Sequence, residues 1–174
     1  LVKRRGSSGG GQNVTMENIR HLGYLELEKK DFNKARELFG QALLHEPEDW
    51  QSHMGRVLCA YRAKNMEEIL NTVPPIDYRE NGDYQMMKRF APQEQLAQAK
   101  QWEQQTEAAL VWYSDGLCKK GEDELRAGRF KEAKERFTEA LKYNPGNYRG
   151  YLGKFCYTNY YRSLKDMTDP RYMR

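Results

Sequence analysis

Apolar residues recur along this chain at spacings of three and four rather than two, which predicts amphipathic helices and no strands. Ile19, Leu22, Leu25 and Leu27 predict a first helix that stops near Lys30, and Thr15 ahead of them can cap its N-terminus. Asp31 can cap a second helix carrying Ala35, Leu38, Phe39, Ala42 and Leu43 on one face. Pro47 ends it, because proline disfavours helical geometry in the residue before it. A third helix runs from Glu48 or Asp49 through Trp50, Met54, Val57, Leu58 and Tyr61. Met66 to Leu70 reads as a short helix broken by Val73-Pro74-Pro75. Asn81-Gly82-Asp83 is a turn signal, followed by a short helix from Tyr84 to Phe90. Pro92 suits the first turn of another helix, through Leu96, Trp102 and Ala109 toward Val111.

Slid by 98 residues, the chain falls on itself: Gly23 meets Gly121, Leu27 meets Leu125, Phe32 meets Phe130 and Ala35 meets Ala133. Phe39 then meets Phe137, Ala42 meets Ala140, Pro47 meets Pro145 and Gly55 meets Gly153. Small residues are kept where helices must approach, and large ones where a groove must be filled.

These residues resemble the tetratricopeptide repeat. Each unit has the family's small residue in the first helix (Gly23, Gly121), its aromatic at the start of the second (Phe32, Phe130), and the spacing Ala-x3-Phe-x2-Ala-x4-Pro. The first-helix tyrosine is replaced by Glu26 and Glu124. The resemblance implies an all-α fold of the α-α superhelix type. Because 98 is not a multiple of the usual ~34-residue period, the units are not adjacent turns of one solenoid. The expected organisation is a flexible basic Gly/Ser linker over 1–14, a first unit over 15–65, a helical connector over 66–112 and a second unit over 113–174. Each unit is a helix hairpin plus a third helix. The layout also resembles a group of uncharacterised bacterial proteins, often from Firmicutes, that carry an upstream zinc ribbon. The ribbon's cysteines are missing here, so no zinc is carried over.

Composition narrows the function. Of 174 residues, 39% are hydrophobic and 31% charged, with a mean hydropathy of −0.99. No stretch approaches the ~20 apolar residues of a membrane span. Cys59, Cys118 and Cys156 are widely spaced and form no paired motif, so reduced thiols in a cytoplasm fit best. The net charge of +4 is uneven: residues 1–20 carry +3 and residues 142–174 carry +5, leaving an acidic middle. His21, His45 and His53 stand alone, the carboxylates scatter at helix-surface spacing, and no nucleophile, metal or phosphate-loop motif is present. Neither enzyme activity nor a cofactor is expected.

Two readings compete for the tyrosine-rich stretch from Tyr143 to Tyr161. Tyrosines among Arg149, Lys154 and Arg162 could stack on single-stranded bases. The favoured reading is packing, with Tyr148, Leu152, Phe155 and Asn159 on a buried face and the remaining tyrosines open to a partner. By family position, the concave face of unit one presents Glu17, Arg20, Tyr24 and Glu28, then Gln51, Met54, Leu58, Tyr61 and Arg62. That of unit two presents Asp115, Cys118, Glu122 and Arg126, then Arg149, Leu152, Cys156 and Tyr160. Arg20 and Tyr24 stand where chaperone-binding members need Lys and Asn, so that clamp is not carried over. The expectation is a non-catalytic scaffold module that holds a peptide or partner helix. Its candidate contacts are Arg20, Tyr24, Tyr61, Arg62, Arg126, Tyr157, Tyr160 and Arg162. The alternative, disfavoured, is a nucleic-acid-binding accessory region built on the basic C-terminal helix.

Overall fold

The computed structural model describes residues 15–169 and residue 171, and the linker expected over 1–14 lies outside them. Among the described residues the fold is all-α. It comprises α1 (Met16–Glu28), α2 (Phe32–His45), α3 (Trp50–Ala60), α4 (Met66–Leu70), α5 (Gly82–Phe90), α6 (Gln93–Arg126), α7 (Phe130–Tyr143), α8 (Tyr148–Thr158) and a 3-10 turn, Leu164–Thr168. The capping residues read from the sequence do cap: the side chains of Thr15 and Asp31 accept hydrogen bonds from the backbone of Asn18 and Lys34, and Asp49, expected as a possible first residue of the third helix, is its cap and accepts from Ser52 N–H. Among the described residues no helix is long and apolar enough to cross a membrane.

The helices form two compact units. Residues 15–65 make one together with Glu80–Gln93; Met66–Arg79 make the other with the described residues from Glu94 onward. In unit one, the fully buried Phe39 ring lies where α1 and α3 offer only glycine. A Cβ on Gly23 would stand 2.7 Å from the ring, and one on Gly55 2.4 Å. The edge of Tyr24 meets the same ring, with centroids 5.0 Å apart. Unit two repeats the device: Phe137 is fully buried, and a Cβ on Gly121 or Gly153 would come within 2.8 or 2.2 Å of it.

The correspondence reaches the helix ends. At the C-caps of α3 and α8, Tyr61 (φ −99°, ψ 7°) matches Asn159 (φ −101°, ψ 9°). The next residues, Arg62 and Tyr160, both take left-handed φ values of 54° and 58°. After them, Ala63 N–H donates to Leu58 C=O and Tyr161 N–H to Cys156 C=O, which satisfies the last carbonyls of each helix. Likewise α1 ends on Lys30 at φ 62° and α6 on Gly128 at φ 75°. The repeat extends further than side-chain matching showed, because Met66–Leu70 moved by 98 residues falls on the 3-10 turn Leu164–Thr168.

Three expectations are corrected. Leu22 and Leu25 are exposed, because the packing line of α1 runs through Ile19, Gly23, Glu26 and Leu27, where glycine permits close approach. The connector helix does not end near Val111. It continues as α6 for 34 residues, about 51 Å at 1.5 Å per residue, and supplies the first helix of the second repeat. No proline interrupts that stretch, and Gly116 sits in open space where a helix tolerates it. Tyr148, Phe155 and Asn159, expected on a buried face, are exposed, and Gly150, Gly153 and Cys156 form the buried line of α8 instead.

All three cysteines are buried and unpaired. Burial pushes the Cys59 and Cys118 thiols up to about 11. A thiol with a raised native value favours the fold while neutral. That contribution is complete below about 9, the unperturbed value, and is lost as pH rises through about 11. The midpoint of urea unfolding is therefore expected to fall between pH 8 and pH 10.5. Iodoacetamide should label the native thiols far more slowly than the unfolded ones at pH 8. Fast native labelling of all three would show that the thiols are accessible.

Candidate functional site

A groove of about 620 Å³ opens in unit two between the last turns of α6, one face of α8 and the chain that follows α8. The N-terminus of α8 is fixed to α6 by the buried Asn147. Its Oδ1 accepts from Arg149 N–H, and its Nδ2 donates to Ser114 Oγ and to Asp115 Oδ1, both at 2.9 Å. Ser114 Oγ in turn donates to Ala140 C=O at 2.9 Å, so three helices meet at one satisfied polar cluster. The far wall depends on Asp166, whose Oδ2 accepts from the backbone N–H groups of Arg162 and Ser163 at 2.7 and 3.1 Å. That bend turns Arg162, Ser163, Leu164 and Lys165 back along the groove.

The groove's apolar lining is Leu125, Leu152, Gly153 and Cys156, with Tyr148 and Leu164. Arg126, Arg149, Arg162 and Lys165 surround it, and Glu122 is the one carboxylate in the lining. Arg149 grips Glu122 through Nε and NH2, at 2.9–3.1 Å, which fixes both side chains. Arg126 pairs with Asp123, which is not part of the lining. The groove therefore combines an apolar lining with a net positive rim.

The same face of unit one is closed. Met54 and Leu58, the counterparts of Leu152 and Cys156, are buried. Tyr24 stands where unit two has Glu122, and its hydroxyl donates to Gln51 C=O at 2.8 Å. Burial and the nearby Asp49 carboxylate raise the Tyr24 phenol well above its ordinary value, as expected of a packed ring.

Of the eight candidates from the sequence, Arg126 and Arg162 are brought together in this groove. Arg20 is held by Asp49 at 2.8 Å, tying α1 to the start of α3. Tyr24 packs on Phe39, and Tyr61 is the half-buried C-cap of α3. Arg62 and Tyr160 are equivalent residues with equivalent contacts. Arg62 lies over the Phe32 ring at 5.3 Å, and Tyr160 meets Phe130 edge-on at 5.4 Å. Tyr157 packs against the core of unit two with Lys134 over its ring. Of the expected concave residues, Glu122, Arg126, Arg149, Leu152 and Cys156 line the groove, while Asp115 is engaged with Asn147 and Cys118 lies in the core. Sequence reasoning missed the wall from Ser163 to Lys165. The available signal was the short helix Met66–Leu70, which the 98-residue shift places beside it.

The tetratricopeptide repeat model matches residues 21–68 and 118–155, one region in each of the two repeats. The chain matches no curated protein and no solved structure.

Proposed function

From this tetratricopeptide-like character, we propose that the chain is a non-catalytic protein-interaction module whose unit-two groove receives an acidic peptide with an apolar anchor residue. The observation that carries the reading is the pairing of an apolar lining with four cations against one carboxylate. An aliphatic or aromatic side chain would fill the space over Leu125 and Leu152, and flanking carboxylates would face Arg126, Arg162 and Lys165. The free thiols support a reducing, cytoplasmic setting. A nucleic-acid role is less well supported, because Tyr157 and Tyr161 pack against the core and do not continue a stacking platform with Tyr148 and Tyr151.

The test is fluorescence anisotropy with a labelled peptide carrying Phe or Leu between runs of Asp and Glu. Saturable binding is expected, weakened tenfold or more by the double change Arg126→Glu and Lys165→Glu, with helicity by circular dichroism unchanged. Equal binding by the double variant would remove the groove from consideration. Tighter retention of single-stranded RNA, with a steep loss on adding salt, would replace the protein-binding reading.

A further inference from the structure

Among the described residues the two repeats differ on one face that takes no part in the groove. In unit one, α5 lies along α3. Asp83, in the first turn of α5, meets His53 Nδ1 at 3.1 Å and Arg56 Nε at 3.2 Å. Phe90, at the other end of α5, stacks on the His53 ring with centroids 6.2 Å apart and planes at 23°. Between them, Tyr84 and Met87 are fully buried. His53 is 7% exposed and Val57 0%.

The counterparts of His53, Arg56 and Val57 on α8 are Tyr151, Lys154 and Phe155. They keep the central cation, put tyrosine in place of the histidine and enlarge valine to phenylalanine. Tyr151 is nevertheless 55% exposed and Phe155 47%. Tyr151 and Phe155 stand at i and i+4 on α8; Phe155 meets the Tyr161 ring with centroids 6.2 Å apart, yet both side chains keep an open apolar face.

We propose that the Tyr151–Lys154–Phe155 face of α8 receives an amphipathic helix from a partner protein, with a carboxylate in that helix's first turn and apolar side chains one and four places after it. This is the pattern of α5 itself: Asp83, then Tyr84, then Met87. Charge complementarity sets the orientation, because Lys154 stands where Arg56 receives Asp83. The apolar positions then fall over Tyr151 and Phe155, as in other recognition of a helix by its i and i+3 anchors. A second copy of this chain fits less well, since its own α5 has that face buried against α3.

The probe is a hydrocarbon-stapled peptide of residues 81–90, titrated into the full 174-residue chain by anisotropy. Saturable binding is expected. Lys154→Glu should weaken it at least tenfold, and a peptide with Asp83→Lys should recover most of the loss on that variant. Phe155→Ser should abolish binding with helicity by circular dichroism retained, although it also loses the ring contact to Tyr161. The same variants should still bind the acidic peptide of the groove, which separates failure here from failure of the proposed function. Absence of binding at millimolar peptide, or binding indifferent to both α8 changes, would overturn the proposal. A concentration-dependent dimer lost in Phe155→Ser would also overturn it, by making a second copy the occupant.

Discussion

Replacing Phe137 with alanine is expected to destabilise unit two by about 3–5 kcal/mol, and Phe39→Ala to do the same in unit one. Each ring is fully buried, and each is flanked by alanines one turn away on its own helix, Ala35 and Ala42 or Ala133 and Ala140, that are themselves without exposure. The surfaces facing the ring are glycine backbone on two further helices. Removing it leaves a cavity faced on two sides by glycine backbone, which has no side chain to move in, so relaxation there recovers little. Circular dichroism during denaturation should show that Phe39→Ala lowers the stability of one unit and Phe137→Ala that of the other. Losses below about 1 kcal/mol at both positions would mean that the rings do not hold the helices together.

The elements that were legible in the sequence are those set by local chemistry or by internal repetition. Thr15 and Asp31 announce helix starts because a short oxygen-bearing side chain can take the first free N–H groups. The 98-residue match located Gly23, Phe39 and Gly55 together, and with them the contact that holds the unit. What was not legible depends on tertiary partners. A leucine pattern alone does not say which side of α1 packs when the closest approach runs through Gly23. Arg20 reads as a free cation until Asp49, 29 residues on, is brought to it. Leu96 to Val111 and Leu117 to Leu125 read as two helices because each has its own task, yet no breaker lies between them and they form one. The groove wall at Ser163–Lys165 was hidden because Leu164 and Met66 share a position and a backbone role without sharing side-chain identity.

Gly153→Ala is expected to destabilise the wild-type protein by about 1–3 kcal/mol, even though alanine is the better helix former by about 1 kcal/mol. The added methyl would stand 2.2 Å from Cε1 of Phe137, a distance no pair of carbons sustains, and the ring has no open side to retreat to. In a Phe137→Ala background the obstacle is gone and the methyl enters the cavity. The sign then reverses: Gly153→Ala should stabilise that variant, by about 1 kcal/mol from helix propensity together with the space it fills. The coupling from the double-mutant cycle should therefore reach about 2–4 kcal/mol, at or above the upper end for residues in contact. Gly55→Ala with Phe39→Ala should behave alike, because its methyl would meet the Phe39 ring at 2.4 Å. Gly40→Ala supplies the contrast: no atom lies within 4 Å of its added Cβ, so it should stabilise by about 0.5–1 kcal/mol in every background. Denaturation midpoints of the single and double variants decide the matter. A Gly153→Ala effect of the same sign and size with and without the Phe137 ring would mean that the glycine serves the backbone alone, and that helix approach in unit two is set by some other contact.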